Sequence, residues 1–132
     1  MNSIFGNYKN DLSFDQTKID QLIQLGNDIK EDVVSQLIEL HFATSEICLN
    51  DMENELKELN FSKIKSTVHK LKSSCGTLGL NRLHSLCDGL ENYIAQNKAQ
   101  MFLVKTYVDC IAFEYNDTKK YLWQWNKIKV GA

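Results

Sequence analysis

Not one of the 132 residues in this chain is proline. At the usual frequency of about 5%, roughly six would be expected. Proline breaks helices because its ring clashes with the preceding turn and its nitrogen has no hydrogen to donate. Its absence favours long, uninterrupted helices, and the apolar spacing agrees. Ile64, Val68, Leu71, Cys75 and Leu78 recur at steps of four and three, and Leu80, Leu83, Cys87, Leu90 and Ile94 form a second stripe. Upstream, Ile38, Phe42, Leu49, Met52, Leu56 and Leu59 follow another, with Ser45 in its gap. Downstream run Val104, Val108, Ile111, Tyr115, Leu122 and Trp125, with Thr118 as the polar intruder. One apolar stripe on each of four segments, joined by short polar breaks, predicts an all-α fold, an antiparallel four-helix bundle.

Local chemistry adds a short N-terminal helix to that bundle. Ser13-Phe14-Asp15-Gln16 reads as a capping box, in which serine and glutamine side chains satisfy free amides reciprocally. Gly26 is expected to end this helix, and Asp28-Ile29-Lys30-Glu31 offers the next start. Asn60 is a break between the second and third stripes, and Gly79 another before the fourth segment. The domain reading is a polar lead-in over 1–12 and a single bundle over 13–128.

The length suits one domain with a real core. A hydrophobic content of 43% excludes a disordered chain, and a net charge of −2 argues against an electrostatic nucleic-acid binder. No stretch reaches the ~18 apolar residues of a membrane span, and the N-terminus lacks the basic start and apolar core of an export signal. A soluble, cytoplasmic protein is the default. Cys48, Cys75, Cys87 and Cys110 are dispersed, so buried free thiols are expected in place of a disulfide framework. His84 and Cys87 stand at i, i+3, but two ligands do not make a zinc site. No metal or cofactor is expected on this chain.

The segment from Phe61 to Leu78 differs from the rest. It holds Lys63, Lys65, Lys70 and Lys72 and no acidic residue, whereas the stretch before it carries Asp51, Glu53, Glu55 and Glu58 against Lys57 alone. At 100° per residue, His69 lies roughly 140° from the buried direction of this helix, and Lys65, Lys72, Ser73 and Gly76 share its side. An exposed imidazole is a nucleophile near neutral pH, because its ordinary pKa of about 6.5 leaves much of it uncharged. Two neighbouring ammonium groups would stabilise an incoming phosphoryl group. A mid-helix glycine costs about 1 kcal/mol relative to alanine, and its place beside a reactive side chain suits the close approach of another molecule. No glycine-rich nucleotide loop and no acidic metal cluster stands near His69 in the sequence, so the chain is not expected to use ATP.

The run His69-Lys70-Leu71-Lys72-Ser73-Ser74-Cys75-Gly76-Thr77-Leu78-Gly79-Leu80, followed by Leu83, Cys87, Leu90 and Glu91, resembles the histidine-containing phosphotransfer (HPt) domain. The helix Leu37 to Phe42 and the turn at Asn60 agree with it, and the likeness covers roughly residues 20 to 125. The resemblance implies that His69 accepts a phosphoryl group from a receiver-domain aspartate and passes it to another receiver. Lys72 would pair with the phosphoryl oxygens or steer the acidic receiver pocket, Gly76 would admit the receiver backbone, and Gly79 would close the helix. Lys65, Lys70 and Ser73 would belong to the partner-binding rim. Ser73 stands where many members have glycine; its hydroxyl is placed to bond the imidazole. The implied partners are response-regulator receiver domains and a hybrid histidine kinase, with Mg²⁺ supplied by the receiver. A free-standing monomer, a phosphocarrier and not an enzyme, is the expectation.

Two other function classes compete. One is a bundle that docks on a histidine kinase or response regulator without carrying phosphate; the other is a plain structural bundle on which the Lys/His/Gly face is accidental. His41 and His84 read as boundary histidines, and Trp123 and Trp125 as core and rim of the last helix.

Overall fold

The computed structural model describes residues 15–131, with side chains as far as Trp123. Helix α1 spans Gln16–Ile29, α2 Val33–Lys57, α3 Phe61–Leu78, α4 Asn81–Ala95 and α5 Met101–Gly131. Connections of two to five residues between α2, α3, α4 and α5 make successive helices antiparallel. Each of these four packs on the next and α5 closes back on α2, while α1 lies against α2 and α3. This is the expected all-α bundle with its short additional helix. Side chains tie the ring together at its edges: Thr67 donates to Glu55 across α2–α3, and Tyr115 and Lys119 both donate to Glu46 across α2–α5.

The α3 stripe is entirely buried, as are Leu83, Leu86, Cys87 and Leu90 facing it from α4. Burying one such leucine contributes about 2 kcal/mol of apolar transfer energy. From α5, Val104, Val108, Ile111, Tyr115, Thr118 and Leu122 complete the core. Cys48, Cys75 and Cys87 are buried free thiols and Cys110 is half-buried. No described helix is long and apolar enough to cross a membrane.

In α2 the inner row differs from the expected stripe. Ile38, His41, Ser45, Cys48, Met52 and Leu56 are buried, whereas Phe42 and Leu49 only flank the core. Steps of three and four from Ile38 lead through His41 and Cys48, and the core accepts these smaller or polar side chains at the helix's inner face. His41 is therefore an interior residue, not a boundary one. Leu59 leaves the stripe altogether. It sits past the helix end at φ 53° and is 60% exposed, because the chain must turn there before Asn60 can cap α3. The Asn60 carboxamide accepts from the Lys63 amide.

The N-terminal boundaries also differ from expectation. Asp15, not Ser13, caps α1 by accepting from the Thr17 amide; Ser13 and the lead-in 1–12 lie outside the described residues. Gly26 lies inside α1, and its role is close packing: a Cβ there would stand 2.5 Å from the Glu31 carbonyl oxygen. The helix ends at Lys30, in the left-handed region at φ 59°. Asp32, and not Asp28, then starts α2 by accepting from the Ser35 amide.

Gly79 closes α3 as expected. It takes φ +69°, and the Leu80 and Gly79 amides return to the Cys75 and Gly76 carbonyls. The start of α1 rests on this turn, with the Asp15 amide donating to the Gly79 carbonyl at 2.7 Å. A Cβ at position 79 would come within 2.7 Å of the Asp15 Cβ and 3.0 Å of the Lys18 Cβ. Gly79→Ala therefore combines a left-handed alanine, costing about 1–2 kcal/mol, with displacement of α1. A total loss of about 2–3 kcal/mol in urea unfolding is expected; a loss below about 0.5 kcal/mol would mean the turn relaxes freely.

Candidate functional site

The outer face of α3 carries the exposed Lys65, His69 and Ser73, with Lys72 and Gly76 half-buried beside α4. The His69 side chain is 59% exposed. Its Nδ1 lies 2.6 Å from Glu91 Oε2 on α4. The other carboxylate oxygen of Glu91 accepts from Lys72 Nζ, also at 2.6 Å. Lys72 Nζ additionally donates to Asp88 Oδ1 at 3.2 Å, and Asp88 Oδ2 accepts from Asn92 Nδ2 at 3.2 Å. Helical spacing explains the convergence. His69 and Lys72 are three apart on α3, while Asp88, Glu91 and Asn92 stand at i, i+3 and i+4 on the facing helix.

The electrostatics follow from these contacts. The Lys72 ammonium, helped by the His69 hydrogen bond, holds the Glu91 carboxyl below the usual carboxylate range. Glu91 in turn raises the Lys72 pKa. An ionised carboxylate only accepts, so Nδ1 of His69 carries the proton, as assigned from the hydrogen-bond network. The lone pair of a neutral ring then belongs to Nε2. The arrangement can thus present one oriented nitrogen nucleophile on an open surface.

Residues 36–107, more than half of the chain, match the Hpt domain family. The chain belongs to that family. Histidine-containing phosphotransfer protein 1 of Arabidopsis thaliana is 32% identical over 61% of this chain and 53% of its own length. Multistep phosphorelay regulator 1 of Schizosaccharomyces pombe is 27% identical over 60% of this chain and 27% of its own length. Phosphorelay intermediate protein YPD1 of Candida albicans is 31% identical over 48% of this chain and 35% of its own length. The chain thus spans between about a quarter and about half of the length of these curated relatives. Among solved structures, a rice protein assigned as a histidine-containing phosphotransfer protein superposes with a TM-score of 0.78 over 90% of this chain and 85% of that one, at 16% identity. The shared fold is the Hpt bundle.

Within this Hpt domain the expected site residues are not all gathered at one point. Lys65 and Ser73 flank His69 along α3, but the Ser73 hydroxyl donates to the His69 backbone carbonyl at 3.2 Å and not to the imidazole. A serine at i+4 in a helix finds that carbonyl before any side chain. Lys70 is exposed on the α2 side of α3, where its charge reaches the Cys48 thiol. The basic face is also less basic than the helix alone implies, because α4 sets Asp88 and Glu91 against Lys72. Glu91 enters the sequence pattern only as the acidic end of a Leu-Glu pair, and Asp88 does not enter it. Their signal is the polar i, i+3, i+4 face of α4 opposite Leu83, Cys87 and Leu90. Farther along the α3–α4 seam, Phe61, Ser62, Lys65, Ile94 and Asn97 line a hollow of about 480 Å³. His84 is half-buried at the opposite end, beside Gly76. Among the described residues no group of three or more His, Cys, Asp or Glu is placed to hold a metal ion.

Proposed function

We propose that this Hpt domain is a phosphorelay carrier, accepting a phosphoryl group on His69 from the aspartate of one receiver domain and delivering it to the aspartate of another. The observation that carries this reading is the Glu91 contact to Nδ1, which leaves Nε2 as the nucleophile on an exposed ring. In the acceptor step the Nε2 lone pair forms the N–P bond while the acyl phosphate O–P bond breaks, and its electron pair leaves on the receiver carboxylate. Nδ1 keeps its proton, and the positive charge gained by the ring faces Glu91. Such transfer is mostly positioning and charge stabilisation. Lys72, paired with Glu91 and Asp88, steers the acidic receiver pocket, and Lys65, Lys70 and Ser73 form the rim. The receiver supplies its own aspartate and Mg²⁺. The chain acts as a phosphocarrier without ATP-dependent kinase activity, a cytoplasmic monomer served by a hybrid histidine kinase and response regulators. The names of its relatives, which include a phosphorelay intermediate and a phosphotransfer protein, support the assignment.

The test is transfer of labelled phosphate from a phosphorylated receiver domain, with the product mapped by peptide and by stability. Label on the His69 peptide, labile to acid and stable to alkali, is the expected result. No label from any of a broad panel of receivers, with binding retained, would favour the docking-module reading instead.

Gly76 gives an independent check on the approach of a partner. A Cβ there would meet only His84 Cδ2, at 3.8 Å, an ordinary contact. Nothing within the described fold demands glycine at this position. Gly76→Ala should therefore raise stability by about 1 kcal/mol, the helix-propensity difference. Gly76→Gln should leave the melting temperature near wild type yet slow receiver transfer by roughly an order of magnitude or more, as misplaced reactants do. Undiminished transfer by Gly76→Gln would show that no partner comes close here.

A further inference from the structure

The Lys72 ammonium, whose side chain is only 20% exposed, is gripped by two carboxylates, and Asn92 fixes the second of them. Glu91 faces His69, so its role in orienting the ring is evident from its contact. Asp88 does not bond the imidazole. It draws Lys72 toward α4, and it adds a second negative charge to the chain of contacts that runs from Lys72 through Glu91 to the ring that receives a dianionic phosphoryl group. Counted as ionised side chains with a neutral ring, Glu91, Lys72 and Asp88 sum to one net negative charge before any phosphate arrives.

We propose that Asp88 is a positioning residue that keeps phospho-His69 a ready donor, by holding Lys72 off the phosphoryl group and repelling that group itself. Both effects have the same sign. In the unphosphorylated form Asp88 is stabilised by its ion pair with Lys72; in the phosphorylated form it opposes the new charge. Each shifts the balance away from phosphohistidine and toward the receiver aspartate, so the phosphoryl group does not collect on this domain. The proposal rests on His69 being the acceptor.

Thermodynamics separates this from docking. The equilibrium constant for the exchange of phosphate between free receiver and free Hpt domain depends on the two phosphorylated and two unphosphorylated species alone. How tightly the pair docks cancels. The experiment mixes a labelled phosphoreceiver with the full chain and reads the ratio of phosphohistidine to phosphoaspartate at equilibrium. Asp88→Asn should move that ratio about two- to fivefold toward phosphohistidine, the range that a partly exposed ion pair supports. Asp88→Glu, which keeps the charge, should remain near the wild-type ratio. Asp109→Asn removes the same charge from an exposed pair with Lys105 on α5 and should not move it. An unchanged ratio in Asp88→Asn, in a wild type that loads normally, overturns the role of Asp88. An equal shift in Asp109→Asn overturns it too, since net charge would then suffice. A wild type that takes no label overturns the acceptor reading instead.

Discussion

His69→Gln is expected to abolish phosphoryl acceptance, by at least about a thousandfold, while the bundle stays folded and still binds receivers. A glutamine side chain offers no imidazole lone pair, and no other described histidine can replace His69. His41 is sealed in the core at 2% exposure, and His84 sits half-buried, its ring packed beside Gly76. A nucleophile that forms the covalent intermediate leaves little residual chemistry when removed, as losses of about 10⁶ in other covalent mechanisms show. The fold should tolerate the change because the His69 ring is more than half exposed and Glu91 keeps Lys72 as a partner. The stability cost should be no more than about 1 kcal/mol, that of one exposed polar contact. Label transfer and calorimetric melting, measured side by side, decide this. Residual label at a tenth of wild type or more would place the acceptor elsewhere.

The second large effect is acid sensitivity from His41. This ring packs against Phe42 and Tyr115, and its Nδ1 lies 2.7 Å from the Ser74 hydroxyl, with Ser45 farther off at 3.4 Å. Burial pushes its pKa down from 6.5 to about 4. The unfolded chain therefore takes up a proton below pH 6.5 that the folded chain refuses until about pH 4. Stability is full above pH 6.5, falls through that window and levels off below it. The shift corresponds to a loss of about 3 kcal/mol. Glu91 and Glu46, whose pKa values are lowered by Lys72 and Lys119 respectively, add their own losses only lower, as pH drops below the ordinary carboxyl value. Urea unfolding from pH 7.5 to pH 4 should show the decline beginning near pH 6.5. His41→Gln should start less stable at pH 7.5 and flatten the upper part of the curve. Parallel curves for the two proteins would remove His41 as the cause.

Much of this architecture is legible in the residues because periodicity and turn chemistry act locally. The stripe from Ile64 to Leu78 reports its burial directly, Asn60 and Gly79 mark real helix boundaries, and helical geometry alone turns His69 outward. Other features depend on what lies across a gap, and one helix cannot report its neighbour. His41 resembles a boundary residue until Ser74 and Tyr115 surround it. Gly26 resembles a stop until the return of the chain at Glu31 shows that it is a close contact. The same limit hides the carboxylates of the site. Considered with α3 alone, Lys72 has no carboxylate beside it, and it is α4 that supplies Asp88 and Glu91.

The seat of α1 on the Gly79 turn also bears on the order of assembly. Asp15 and Gly79 are far apart along the chain, so their contact closes a long loop, and the surface that α1 rests on exists only once α2 and α3 have met. The ring of α2 to α5 closes without α1, which touches only α2 and α3. The N-terminal helix is thus expected to dock late and to leave early in a partial opening, which amide hydrogen exchange along α1 would read. Such openings can come and go on their own clock while the seam between α3 and α4, with His69 upon it, keeps its register.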